Sequence, residues 1–290
     1  MFDKVEEVLS AQWLIHQDTA LKFIPYILSF LQRGELSSNI FITDQAKHKP
    51  YVIASSINTV DRFELTDTNI PENSIAVIPI MGVIMKYGYS GTMSLMNRIR
   101  EAENNPKIGS LFFWFETPGG MVNNTDLAAE AIAQCEKPTV GFVSSMCASA
   151  GMWLISGCNK IIASSKLDMI GSIGVKTNIM DINSFLRDKL GIFIKDVYAT
   201  LSVKKDYEYR QLVDENNEEP IKARLDYINN IFHASISKNM GIAAGSEVFS
   251  ADVYYAEDAI RVGLCHEIGT LQYALKTAHD LGLAYNYVKS

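Results

Sequence analysis

Three nearly unbroken apolar runs constrain this chain more than any other feature: 74–84 (SIAVIPIMGVI), 108–115 (IGSLFFWF) and 138–143 (PTVGFV). A strand with one face in water alternates apolar and polar residues, whereas runs like these belong to strands covered on both faces. Between them lie a helical segment over 92–102, closed by Asn105-Pro106, and an Ala-rich helix over 125–135. Strand and helix in alternation predict an α/β fold with a layered, largely parallel sheet flanked by helices. Further strands are expected at 160–163, 170–175 and 193–197, and a helix at 182–190 before Gly191. Ile221, Leu225, Ile228 and Phe232 mark one face of a long helix ending near Gly241. A short helix around Ala256, Ala259 and Ile260 and a C-terminal helix from about Leu271 complete the pattern, with no internal repeat.

The first 73 residues read differently. Val5, Leu9, Trp13 and Leu14 recur at helical spacing, as do Ile24, Ile27, Leu28 and Leu31, and a polar stretch over 35–73 follows. The expected organisation is a helical arm and linker over 1–73 and one main domain over 74–290. With 48% hydrophobic and 20% charged residues in 290, the chain can bury one substantial core. A net charge of −7 weighs against nucleic acid as a partner, since phosphate binding needs a basic face. Cys135, Cys147, Cys158 and Cys265 show no CxxC spacing, so neither a zinc site nor a redox pair is indicated, and no metal or organic cofactor is implied. The N-terminus carries acids where a secretory signal carries bases. The most apolar early run, 21–31, contains Lys22 and Pro25 and falls short of the roughly 20 residues that span a bilayer. The expectation is a cytoplasmic protein without a membrane anchor.

Three local features could carry chemistry. Thr117-Pro118-Gly119-Gly120 follows a buried strand, where backbone N–H groups free of Cβ obstruction can hold an anion; alone, turn chemistry is the better explanation of it. Ser149 stands among Cys147, Ala148, Ala150 and Gly151 at the start of a predicted helix. That is a place for an exposed nucleophile, and also a common place for an N-capping serine. A serine nucleophile needs a base. His16, His48, His233, His266 and His279 lie in no context resembling a triad, with His233 and His279 in predicted helices. Lys204 and Lys205 follow a predicted strand and precede a polar loop; a lysine serves as base only when burial lowers its pKa, and a solvated pair is the plainer alternative.

The order of these features along the chain adds what none of them supplies alone. IAVIPIMGVI (75–84), TPGG (117–120), SSMCASAGMWLIS (144–156), IGSIGV (170–175), SVKKD (202–206) and AEDAIRVGLCHEIG (256–269) together resemble the signal peptide peptidase A family of serine peptidases, over roughly 74–270. The resemblance implies a Clp-protease/crotonase fold and a Ser–Lys dyad. In it Ser149 is the nucleophile and Lys205, the lysine directly before an aspartate, is the base in preference to Lys204. The amides of Gly119 or Gly120, with that of Ala150, would form the oxyanion hole, and Ser172 is a candidate auxiliary hydroxyl. Two positions depart from the family pattern. Ala150 stands where glycine is usual, which leaves the N–H available if φ there is negative, and His266 replaces an acid at a position read as structural. The absence of an anchor favours the branch of phage and prophage capsid-assembly and head-maturation proteases, with a protein or peptide substrate such as a capsid or scaffolding protein, and a homo-oligomeric assembly.

Three alternatives remain at this stage. One is a cytoplasmic signal-peptide-type peptidase. Another is a crotonase-type acyl-CoA hydratase or isomerase, which would need a carboxylate among the small residues around Ser149. The third is a catalytically silent assembly protein, which would have no use for both Ser149 and Lys205.

Overall fold

The computed structural model describes residues 13–15, 49–54, 62–88, 90–179, 187–189, 191, 193 and 195–289. Its centre is a mixed sheet built on the apolar runs: β4 (Ser74–Met81), β5 (Ile108–Thr117) and β7 (Thr139–Ala148) lie side by side and parallel. β2 (Tyr51–Ile53) and β3 (Arg62–Phe63) extend one side antiparallel. On the other side β8 (Lys160–Ala163) and β9 (Met169–Gly171) both pair with β7. β10 (Val253–Tyr255) then closes on β9, and β11 (Glu267–Ile268) on β8.

Both faces of the central strands are covered, as their composition requires. Ile75 and Val77 of β4, Phe112 of β5 and Val140 and Phe142 of β7 point to one face, beneath Ala274 and Ala278 of the C-terminal helix α7 (Leu271–Lys289). The alternate residues Ala76, Ile78, Ile80, Leu111, Phe113 and Phe115 enter the larger core on the other face. That core is roofed by α1 (Thr92–Asn104), α2 (Thr125–Ala133), α3 (Ala150–Ile155) and α5 (Glu219–Met240). Trp153 of α3 stacks on Phe232 of α5, with ring centroids 4.6 Å apart. Each such aromatic burial contributes about 1.5–3 kcal/mol. α4 (Tyr207–Glu215) and α6 (Ala256–Arg261) complete the described helices.

β7 is the strand that positions the site. Its first half, through Val143, pairs with β8; its last residues, Met146 to Ala148, pair with β9. The change of partner falls at Ser145, whose φ of 73° bends the strand out of the first layer. Asp168 holds that bend. Buried to 3% exposure, its carboxylate accepts the N–H of Ser145 at 2.9 Å, the N–H groups of Ser164 and Ser165 at 2.7 and 3.0 Å, and the Ser164 hydroxyl at 2.8 Å.

Several expectations need correction. Trp13 and Leu14, read as helical, lie in a short strand, β1 (Trp13–Ile15), because an unpaired strand edge is available to them. The rest of the expected helical arm lies outside the described residues. The strand expected at 193–197 is irregular where described: Phe193 and Val197 are exposed, and among the described residues no strand pairs with them. Of the helix expected at 182–190 only 187–189 are described, and they are helical. The polar loop expected after Lys205 contains α4.

Candidate functional site

β7 ends at Ala148, and the next residue breaks the rules of regular backbone. Ser149 has φ 56° and ψ −114°, a conformation that L-residues rarely adopt and that persists only when its surroundings impose it. The surroundings are rigid. The Ser149 N–H donates to the Gly171 carbonyl at 2.8 Å, and α3, all six of whose residues are buried, starts at once. Although Ser149 occupies the N-cap position of α3, its side chain makes no capping hydrogen bond. Its hydroxyl instead approaches the Gly174 carbonyl at 3.4 Å. The capping explanation of this serine therefore fails, and what remains is a strained serine at a strand-to-helix elbow. Ala150, the first residue of α3, is absent from the residues with positive φ, so the condition set by its replacing glycine is met. Its N–H belongs to the first turn, which has no intrahelical acceptor.

The TPGG segment is brought against this elbow. Thr117 lies beside Cys147 in the sheet register, and a Cβ added at Gly151 would meet the Thr117 methyl at 2.6 Å. Thr117 also pins the segment internally: its hydroxyl donates to the Gly82 carbonyl at 2.6 Å and accepts the Gly119 N–H at 3.1 Å. Gly119, Gly120 and Met121 form a strand of their own, β6, rather than the expected turn. Gly120 has to be glycine, because a Cβ there would run into the backbone of Ile84.

IGSIGV wraps the other side of Ser149. Ser172, with φ 56°, donates its N–H to the Asp252 carbonyl at 2.7 Å, which fixes the segment that supplies the Gly171 and Gly174 carbonyls. Ile173 between them bonds through its backbone to His233 of α5, whose ring stacks on Phe249 at 4.4 Å. Burial holds the His233 imidazole below its ordinary pKa. His233 thus props the segment beside Ser149, a role its helical position in the sequence did not disclose. Asp168 and Thr117 are the other supports that sequence reasoning missed. For Asp168 a signal existed, since a serine pair followed within four residues by aspartate is the pattern of a side-chain-closed turn. His266 is structural as expected: its Nδ1 accepts the Ile161 N–H at 2.9 Å, the service an acid would give there.

Lys205 is not brought to Ser149 by the described contacts. It lies in the turn leading to α4, exposed, with its N–H on the Ser202 carbonyl at 3.1 Å; the neighbouring Lys204 places its amine 4.2 Å from the centre of the Tyr207 ring. Nor does any described contact join Ser172 to either lysine. Among the described residues no helix is long and apolar enough to cross a membrane.

The capsid assembly protease C of Escherichia phage lambda is 26% identical over 219 residues, which cover 72% of this chain and 49% of that protein. Protease 4 of Salmonella typhi is 27% identical over 221 residues, covering 72% of this chain and 34% of that protein. The chain thus spans about half the length of the first relative and about a third of the second. A solved ClpP1 variant from Listeria monocytogenes superposes with a TM-score of 0.43 at 12% identity, covering 69% of this chain and 94% of that one. The family model for peptidase family S49 matches residues 131–283, just over half of the chain and the part that holds the Ser149 elbow, so the chain belongs to peptidase family S49.

Proposed function

We propose that this chain is a serine endopeptidase working through a Ser149–Lys205 dyad. The observation that carries the reading is the backbone of Ser149: a strained, buried serine with no capping bond, at the junction of a buried strand and a buried helix. A purely structural serine has no need of such a conformation. In the proposed reaction the neutral amine of Lys205 takes the Ser149 proton, and Oγ attacks a peptide carbonyl. The N–H of Ala150 and that of Gly119, once the Thr117 hydroxyl releases it, then hold the oxyanion, while Gly120 serves the strand edge beside them. Removing one such donor in comparable sites costs about 3–4 kcal/mol of transition-state stabilisation. The amine leaves with the proton, and water hydrolyses the acyl-enzyme. Ser172 fixes the IGSIGV segment through its backbone.

A lysine acts as base only when desolvated, so the proposal needs an event that covers Lys205. The chain around it carries that prompt: Phe193, Val197, Leu201 and Val203 are apolar yet 74%, 84%, 94% and 66% exposed. Exposed apolar side chains grouped on one segment favour burial against another copy, in keeping with a homo-oligomer. The protein or peptide substrate is proposed to be a capsid or scaffolding component of a phage or prophage, in a bacterial cytoplasm. What supports this is the lambda relative, whose name states capsid assembly.

A fluorophosphonate probe tests the core of the reading. Wild type should be labelled at Ser149, while Ser149→Ala and Lys205→Met should not; labelling of Lys205→Met at the wild-type rate would refute the dyad. Incubation with candidate capsid proteins, with new termini mapped by mass spectrometry, tests the substrate class.

A further inference from the structure

The edge of β6 is occupied by the chain itself. β1 runs antiparallel to β6, with Trp13 opposite Met121, Leu14 opposite Gly120 and Ile15 opposite Gly119. The other edge of β6 is already used: the Ile84 N–H donates to the Gly119 carbonyl at 2.9 Å, and the Met121 N–H to the Ile84 carbonyl at 2.8 Å. In an extended strand alternate residues face opposite edges, so the N–H and C=O of Gly120 turn away from Ile84, toward Leu14. Leu14 and Gly120 are the pair placed to exchange both backbone bonds.

The polarity matters. β6 starts at Gly119, beside Thr117 and α3, so it starts at the nucleophile and runs away from it. β1 runs the opposite way, from Trp13 toward Ile15, and so leads into the elbow of Ser149. A peptide added to the same edge in the same sense would run toward Ser149 with its acyl side upstream of the bond to be attacked. Meanwhile Ser149 is only 1% exposed, so in this state the nucleophile is closed to solvent.

We infer that Trp13–Ile15 is an internal pseudo-substrate: it fills the backbone track along Gly119–Met121 that an extended peptide must use, and external substrate has to displace it. This rests on the peptidase reading and adds to it the regulation of the same site. Backbone pairing makes the occupant largely indifferent to side chains, so the competing ligand is any extended peptide, and the segment's advantage is its high effective concentration in the same chain.

The test separates pairing from catalysis. In full-length Ser149→Ala protein, Leu14→Pro removes the N–H that faces the Gly120 carbonyl. Hydrogen exchange at the Gly120 amide should then speed up about tenfold or more, and a synthetic peptide of residues 10–18 (SAQWLIHQD) should restore protection. In active protein, Leu14→Pro should lower KM for an external apolar peptide about five- to tenfold at similar kcat, and the synthetic peptide should inhibit competitively. Equal exchange with and without Leu14→Pro overturns the inference, as does faster exchange with KM unchanged. An exchange difference with no turnover in any variant leaves the pairing standing and overturns the peptidase reading instead.

Discussion

The two halves of the proposed dyad sit in opposite physical settings. Ser149 lies between a strand and a helix of which all six residues are buried, tied by its N–H to Gly171 and backed by the bend at Ser145. Lys205 precedes α4, a helix without a single buried residue, on a segment whose apolar side chains face outward. The core thus imposes the feature that must be held against strain, and leaves the feature that needs only desolvation to be completed by contact. A strained backbone requires dense surroundings, whereas a base can be dried at the moment it is needed. The two halves should therefore fail in different ways.

The sharpest contrast is in stability. Asp168→Ala removes the acceptor of three backbone N–H groups and a hydroxyl beside the strand that leads to Ser149. The donors are themselves exposed or half-buried and can turn to water, so each lost bond costs about 0.5–1 kcal/mol and a total loss of about 2–3 kcal/mol is expected, seen as a lower urea midpoint at unchanged m. Lys205→Met, by contrast, should stay within about 0.5 kcal/mol of wild type, as exposed substitutions do, while losing activity. Equal destabilisation by the two changes would erase the distinction.

Thr117→Val sharpens the comparison inside the rigid half. The substitution keeps the shape and loses the hydroxyl that both donates to Gly82 and accepts from Gly119. A stability loss of about 1–2 kcal/mol is expected. If Gly119 supplies an oxyanion donor, activity should change beyond what stability explains, because its N–H is then held by nothing between turnovers. A plain loss of stability with proportionate activity would confine Thr117 to a structural role.

How much of this was readable beforehand follows the same division. The buried strands were legible because apolar runs report two-sided burial, whereas small neighbours only singled Ser149 out, and a role for it came with the family resemblance. The turn that Asp168 closes with Ser164 and Ser165 is local, but its reach to the bend at Ser145 crosses 23 residues, which no local pattern reports. The run at 193–197 had the composition of a strand, yet composition cannot say whether a sheet edge is there to receive it. The same blindness hid β1, whose partner lies more than 100 residues away.

Acid should affect the two halves unequally. His233 supports the IGSIGV segment and His266 the β8 edge, and burial lowers the pKa of both. A histidine whose folded pKa is depressed binds its proton more readily when unfolded, so its neutral form favours the fold above the unfolded value of about 6.5. Stability should therefore be full above that pH and fall as pH drops through it and toward the folded values. His233→Phe and His266→Asn should each flatten the decline, measured by thermal melts between pH 5 and 8. The Lys205 segment contains no histidine, and hydrogen exchange there should not follow the same pH dependence.

The smallest effect on the isolated fold is expected from the exposed apolar segment, and it decides what the exposure means. Leu201→Ser and Val203→Ser alter side chains that are 94% and 66% exposed, so a monomer should lose no more than about 0.5 kcal/mol. If a second copy covers these residues, the same changes should shift sedimentation toward smaller species and reduce activity at dilute concentration, with partial recovery as protein concentration rises. Recovery with concentration is the informative result, since a defect in chemistry would not respond to it. Unchanged assembly and unchanged turnover in both variants would mean that Lys205 is covered by its own chain, and the exposed half of the comparison would then be a matter of closure within one subunit.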